Sequence, residues 1–126
     1  MERLRIGIGF LVALFFALSF VAHSILGWGA VQAELATAQV PDMLVLPLGI
    51  AWRLGGAAML IFAGIVAQAF VSRVRGESPS MFAPALIGAG YLAYGTWAWV
   101  SSGFEAFFLL LFMIPGALLA LACTTR

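Results

Sequence analysis

The sequence contains no lysine, one cysteine and one histidine in 126 residues, and charged residues make up only 9% of it. Soluble domains carry roughly 25% charged residues. Here 64% of the residues are hydrophobic and the mean hydropathy is +1.13. The shortage of charge excludes a soluble protein and indicates an integral membrane protein, with a single transmembrane domain over residues 1–126.

The sequence lacks the residues that several classes of function need. No basic patch with interleaved aromatic residues is present, which excludes a nucleic-acid partner. No glycine-rich nucleotide loop and no His/Cys cluster with metal-ligand spacing occur, so we predict no metal site. The lone Cys123 has no partner for an intrachain disulfide. No cofactor is predicted, although contact with a pigment or lipid stays open.

Four apolar stretches approach or exceed the roughly 20 residues that a helix needs to cross a bilayer. They cover residues 6–26, 47–71, 84–100 and 104–123. The basic start and the small residues before Glu34 also fit a signal peptide, but the apolar run is longer than the usual 7–15 residues of such a segment. We therefore expect a retained first span and an all-α bundle of four transmembrane helices.

The arginines predict the orientation of this bundle. Five of the six lie before the first span, between the second and third spans, or at the end of the chain: Arg3, Arg5, Arg73, Arg75 and Arg126. The positive-inside rule then places the N- and C-termini in the cytoplasm.

The tryptophans and the first outer loop agree with this orientation. The segment "VQAELATAQV" spaces Val31, Leu35 and Ala38 as a short helix lying on the outer membrane surface would. The four indoles fall at the outer boundary, where they form an interfacial belt: Trp28, Trp52, Trp97 and Trp99.

Small residues at every fourth position mark the helix faces that we expect to pack. Helices in lipid associate through close backbone approach, which needs such residues. We favour packing within one bundle over a homodimer seam. The predicted packing residues are Gly9, Ala13, Ala17, Gly56, Gly64, Ala85, Ala89 and Ala93.

His23, at the outer end of the first span, is the candidate cofactor ligand. It shares a helix face with Ser19. Its imidazole could make a structural hydrogen bond, accept a proton or substrate, or coordinate a cofactor metal. One histidine cannot supply both axial ligands of a bis-histidine haem within one chain. We favour the structural hydrogen bond.

Two charged residues complete a candidate polar cluster with His23. Arg53 lies about a turn and a half inside the second span and needs a partner, for which Asp42, Glu34 and Glu105 are candidates. Glu105 also fits the S-x-x-E capping box that starts at Ser102. The cluster of His23, Arg53 and Glu105 contains too few titratable groups to predict an enzyme.

The basic N-terminus, the "RIGIG" that opens the first span and the four apolar helices in 126 residues resemble small bacterial inner-membrane proteins of the DoxX-like kind. The resemblance implies a multi-pass protein of the bacterial inner membrane and assigns no functional residue. The short loops, the few polar groups at depth and the bulky aromatic fourth span favour a non-catalytic accessory or scaffold subunit of a membrane complex, respiratory or photosynthetic, with the bilayer and other integral membrane proteins as partners. The alternative is a small oligomeric transporter or channel with an outward-facing polar vestibule.

Overall fold

The structure is a computed structural model that describes residues 1–105, 107 and 110–124. The prediction of an all-helical protein is confirmed, because these residues contain helices and turns and no strand. The first helix consists of α1 (Glu2–Val21), a π-helical segment (Ala22–Gly27) and α2 (Trp28–Thr37). It is followed by α3 (Asp42–Val74), α4 (Phe82–Ser101) and α5 (Leu110–Cys123).

Two helices are long and apolar enough to cross a membrane. They are the continuous helix Glu2–Thr37, of 36 residues, and α3, of 33 residues. The 20-residue α4 carries no charge and is long enough, but its tyrosines, tryptophans and glycines lower its mean hydropathy. The apolar α5 has 14 described residues, fewer than the roughly 20 that a span needs. Four spans therefore remain a prediction. Arg126, which contributed to the predicted orientation, lies outside the described residues.

The helix predicted in the first outer loop is present as α2, but it is continuous with the first helix and does not form a separate element. Its location on the membrane surface stays a prediction. Val21, Gly27 and Trp28 all have right-handed helical backbone angles, so α1 continues through the π-helical segment into α2. Gly27 and Gly29 do not break the helix because glycine tolerates helical angles at a cost of only about 1 kcal/mol. Residues 28–37 are therefore an extension of the first helix.

Three helices end in the same left-handed turn. After α2, Gln39 has a φ of 53°, and the Val40 amide donates to the Leu35 carbonyl at 3.0 Å. Gly76 and Gly103 occupy the equivalent position after α3 and α4, with φ of 78° and 66°. This pattern is the Schellman motif, which satisfies the last carbonyls of a helix and favours glycine. Gln39 is the one non-glycine residue of these three positions.

The chain divides into two compact units, the first of which is Leu14–Ala63. It is a hairpin of two helices joined by the turn at 38–41. Phe16 is fully buried and contacts the edge of Phe62, with 6.3 Å between ring centroids. Towards the turn, the core continues with Trp28, of which only 8% is exposed.

The second unit combines Met1–Ala13 with Gly64–Arg126. In it, α4 and α5 pack backbone to backbone. A Cβ added at Gly116 would lie 2.6 Å from the Gly88 carbonyl oxygen and 2.9 Å from the Leu92 amide nitrogen. Near the start of α1, Gly9 leaves room for the ring of Phe70, which is fully buried.

The structure corrects part of the predicted packing set. Gly9, Ala13 and Gly56 are buried and Ala17 is half-buried, as expected of helix interfaces. Gly64 is exposed with open space around it. On α4 the alanines lie on the exposed side, because Gly88 and Gly95 permit a closer approach to α5 than alanine does. The predicted residues that do not pack among the described residues are Gly64, Ala85, Ala89 and Ala93.

Candidate functional site

His23 and Trp52 bind each other through two reciprocal hydrogen bonds. The imidazole Nε2 lies 3.1 Å from the Trp52 carbonyl oxygen, and the Trp52 indole Nε1 donates to the His23 carbonyl oxygen at 2.7 Å. The two rings are stacked, with centroids 4.2 Å apart and planes inclined by 6°. Side chain and backbone of each residue thus contact the other, which joins the first helix to α3.

The π-helical segment contains His23 and lies against glycines of α3. A Cβ at Gly55 would lie 3.4 Å from His23 Nε2, and one at Gly56 would overlap the hydroxyl of Ser24. Ser24 Oγ is buried without a hydrogen-bond partner among the described residues. These glycines bring the α3 backbone close enough for the reciprocal bonds, and they leave no room for a ligand at Ser24.

Trp28 connects this pair to Arg53. The Trp28 ring lies 6.2 Å from that of Trp52 between centroids, and the guanidinium carbon of Arg53 lies 5.6 Å from the centroid of the Trp28 ring. Gly49 leaves room for the indole of Trp28, because a Cβ added at Gly49 would lie 2.8 Å from that ring. We call His23, Trp28, Trp52 and Arg53 the His-Trp-Arg cluster.

The hydrogen bonds decide which atoms of His23 can do chemistry. A carbonyl oxygen only accepts hydrogen bonds, so Nε2 must carry the hydrogen that it donates to Trp52. Nε2 is therefore not free to coordinate a haem or pigment metal. Nδ1 has no partner within the described residues and is the atom that could accept a proton. The geometry supports a structural histidine more than a cofactor ligand.

Glu105 does not belong to the unit that contains His23 and Arg53. It follows α4 and precedes the first described turn of α5. The Ser102 hydroxyl donates to the Trp99 carbonyl at 2.8 Å. The helix start that the predicted capping box would cap includes residues outside the described part of the chain, so the capping box stays a prediction. Ser102 and Glu105 lie in the turn that ends α4. Within their own unit, His23 and Arg53 are connected through Trp52 and Trp28, and the inclusion of Glu105 in the cluster stays a prediction.

The other two tryptophans of the predicted belt lie at the end of α4. Trp97 is exposed and packs against Tyr94, with centroids 5.7 Å apart. Trp99 contacts Phe104 edge to face at 5.0 Å, and its indole nitrogen is buried without a partner among the described residues. No group of three or more His, Cys, Asp or Glu side chains that could hold a metal ion exists in the described part of the chain.

An apolar groove lies in the same hairpin, towards its turn. Its volume is about 580 Å³, and it is lined by Leu35, Val40, Leu44, Pro47 and Leu48. Leu35 and Val40 also form the hydrogen bond that ends α2. The groove offers hydrophobic contact and no polar group that could fix the orientation of a ligand.

Sequence analysis missed the reciprocal bonding and the role of Gly49. The available signal was the spacing of Gly49, Trp52, Arg53 and Gly56 at i, i+3, i+4 and i+7, which puts all four on one face of α3. An interfacial belt explains the tryptophans without a contact to His23, so the belt prediction does not lead to this contact.

Comparison with known proteins gives no relative: no family model, no curated protein and no solved structure matches this chain.

Proposed function

We propose that the protein is a non-catalytic accessory or scaffold subunit of the bacterial inner membrane, crossing it four times with both termini in the cytoplasm and packing beside larger membrane proteins. The observation that carries the proposal is the length of its first two helices, together with the apolar surface at their outer ends.

The helix Glu2–Thr37 rises about 54 Å and α3 about 50 Å, at roughly 1.5 Å per residue. The hydrocarbon core of a bilayer is about 30 Å thick. Fitting α3 inside it would require a tilt above roughly 50°, outside the range of about 0–40° that membrane helices adopt. The hairpin therefore projects beyond the hydrocarbon.

The projecting part of α3 is apolar and uncovered. Met43 is 80% exposed and Leu46 is 67% exposed, and Leu44, Leu48 and Ile50 are exposed as well. Apolar surface outside the hydrocarbon is stabilised when another protein covers it, at roughly 25 cal/mol per Å². A neighbouring membrane protein with an extramembrane surface would supply that cover.

The polar groups of the hairpin support the same proposal. His23 and Trp52 bond to each other's backbone, and Arg53 lies on Trp28. A catalytic centre would instead direct several titratable side chains at a common cavity.

Photocrosslinking on α3 tests the proposal. A benzoylphenylalanine at Leu46 should yield a discrete crosslinked protein in native membranes. The matched control is the same group at Ile61, which is 60% exposed on the same helix but lies 15 residues further in. Ile61 should give lipid adducts or no product.

Mild extraction with native mass spectrometry completes the test. A stoichiometric larger protein that copurifies, and is lost in a Leu46→Asp variant, would support a subunit role. The subunit role would be contradicted if the protein were extracted free of other proteins and Leu46 and Ile61 crosslinked equally.

A second candidate is a small transporter or channel, which is favoured by the unpaired Nδ1 of His23 on a π-helical segment, a feature common at functional sites. In proteoliposomes, this candidate predicts a proton or solute flux that His23→Phe abolishes. Flux that is absent, or unchanged in that variant, would remove it.

A further inference from the structure

Among the described residues, Arg53 is a cation without an anionic partner. It is the one charged residue of α3 between Asp42 and Arg73, and it is exposed. Glu34 and Asp42 belong to the same unit, yet neither is within ion-pair distance of Arg53. Its guanidinium lies on the ring of Trp28. Its guanidinium N–H donors therefore have no acceptor in the described chain.

The indole beneath Arg53 is held in a fixed position. Trp28 is buried, packs on the backbone at Gly49 and contacts the ring of Trp52. An arginine that lies on an aromatic ring keeps its donors available for an anion. The contact with Trp28 already orders the Arg53 side chain, so the binding of an anion there costs less conformational entropy.

The position of Arg53 along α3 indicates which anion it meets. Arg73 donates to the Ala122 carbonyl at 3.1 Å and lies 3.6 Å from the Glu2 carboxylate, so it marks the charged cytoplasmic end of α3. Arg53 precedes it by 20 residues, or about 30 Å of helix, which equals the hydrocarbon thickness. Arg53 therefore lies at the level of the outer headgroups.

We propose that Arg53, supported by Trp28, binds the phosphate of an anionic phospholipid in the outer leaflet. Planar guanidinium groups match phosphate oxygens with paired, charge-assisted hydrogen bonds. A bound phosphate removes the cost of an unpaired cation at the membrane boundary. This inference rests on the membrane orientation given under the proposed function.

Lipid retention measured by native mass spectrometry tests the site. The purified protein is delipidated and titrated with phosphatidylglycerol or phosphatidylcholine of identical acyl chains. We expect roughly five- to tenfold tighter retention of phosphatidylglycerol. Arg53→Gln should abolish this preference, and Arg53→Lys should keep the charge but retain the preference only in part. The control is Arg75→Gln, which removes an exposed arginine beyond the end of α3 and should leave the preference unchanged.

Three results would overturn the proposal. The first is an equal preference in wild type and Arg53→Gln, and the second is an equal loss in Arg75→Gln, which would indicate nonspecific attraction. The third is displacement of the lipid by millimolar inorganic phosphate, which would assign the site to a free anion. Near-ultraviolet circular dichroism establishes that Arg53→Gln retains its packing around Trp28.

Failure of the inference is distinguishable from failure of the proposed function. Carbonate extraction and cysteine labelling of the two ends of α3 report on membrane insertion and orientation. An inserted, correctly oriented protein without lipid preference contradicts this inference alone.

Discussion

The hairpin of residues 14–63 and the pair α4–α5 join their helices by different means. In the hairpin, two side chains bond to backbone carbonyls of the facing helix, and glycines make room for indole rings. In α4–α5, glycine backbones meet directly at Gly88 and Gly116. The first interface depends on hydrogen-bond donors and ring shape, and the second depends on the absence of a side chain. Small residues therefore predict helix contact, but not which groups make it.

The largest expected effect is that of adding one methyl group to the α4–α5 interface. In Gly116→Ala the new Cβ would lie under 3 Å from the Gly88 carbonyl oxygen and the Leu92 amide nitrogen, which are backbone atoms that cannot move aside. We expect the free energy of unfolding in detergent to fall by about 3 kcal/mol. Thermal unfolding followed by circular dichroism at 222 nm measures this loss.

Gly90→Ala is the matched control on α4. Nothing lies within 4 Å of its added Cβ, and alanine favours helix by about 1 kcal/mol over glycine. It should leave stability unchanged or raise it. If Gly116→Ala behaved like Gly90→Ala, the backbone contact between α4 and α5 would be refuted.

The next effect tests the donors of the hairpin. Trp52→Phe keeps an aromatic ring against His23 but removes the indole N–H that donates to the His23 carbonyl. Because hydrogen bonds between membrane helices contribute about 0.6 kcal/mol on average and up to about 1.7, we expect a loss near 1 kcal/mol in a steric-trap or denaturing-detergent titration.

A double-mutant cycle assigns that loss to the pair. Combined with His23→Phe, Trp52→Phe should cost less than the sum of the two single changes, because the reciprocal bonds belong to one contact. Trp97→Phe, at an exposed position of α4, is the control and should cost little. Additive losses would show that His23 and Trp52 act independently.

The sequence allowed the helical class and part of the packing to be predicted, because both follow from local patterns. Long uncharged apolar runs specify helices, and Gly9 and Gly56 followed from small-residue spacing. The same rule selected the wrong face of α4, since Ala85, Ala89 and Ala93 repeat as regularly as the glycines that pack. Only the facing helix distinguishes the two, and one sequence does not specify which residues face each other.

The candidate site was predicted in part for a similar reason. His23 and Arg53 were identified as polar residues in apolar surroundings, which is a local property. Their contacts with Trp52 and Trp28 join residues more than 20 positions apart and could not be read from spacing. The sequence favours Glu105 as a third member only because it is a carboxylate near a predicted outer boundary, and Glu105 belongs to the other unit.

The helix ends give a comparison at the level of the backbone. Gln39 ends α2 with a left-handed φ, where Gly103 ends α4 with the same geometry. A side chain costs roughly 1–2 kcal/mol in that conformation, partly offset by the greater freedom of glycine in the unfolded chain. We therefore expect Gln39→Gly to stabilise the hairpin by about 0.5 kcal/mol, measured by hydrogen exchange of the Val40 amide.

Gly103→Ala makes the opposite change at the end of α4, because it adds a side chain at a residue with left-handed φ. Its expected effect on the α4 end is a destabilisation, visible as faster exchange of the Phe104 amide, which donates to the Trp99 carbonyl at 3.1 Å. Changes of the same sign in Gln39→Gly and Gly103→Ala would show that the left-handed turn does not limit stability at these ends.

The smallest effect concerns two of the contacts of Arg73, which also lies on the ring of Phe70. Its side chain is 12% exposed and donates to the Ala122 carbonyl at the end of α5, whereas its ion pair with Glu2 spans 3.6 Å to a carboxylate side chain that is 59% exposed. Exposed ion pairs contribute about 0–1 kcal/mol. Glu2→Gln should therefore change the unfolding temperature very little, and this small change should not depend on the salt concentration. Arg73→Gln also removes the bond to the end of α5 and should cost more, because a carbonyl that loses its charged donor is left without one. Equal effects of the two substitutions would mean that the ion pair, and not the bond to the backbone of α5, is the contact that stabilises this end of the second unit.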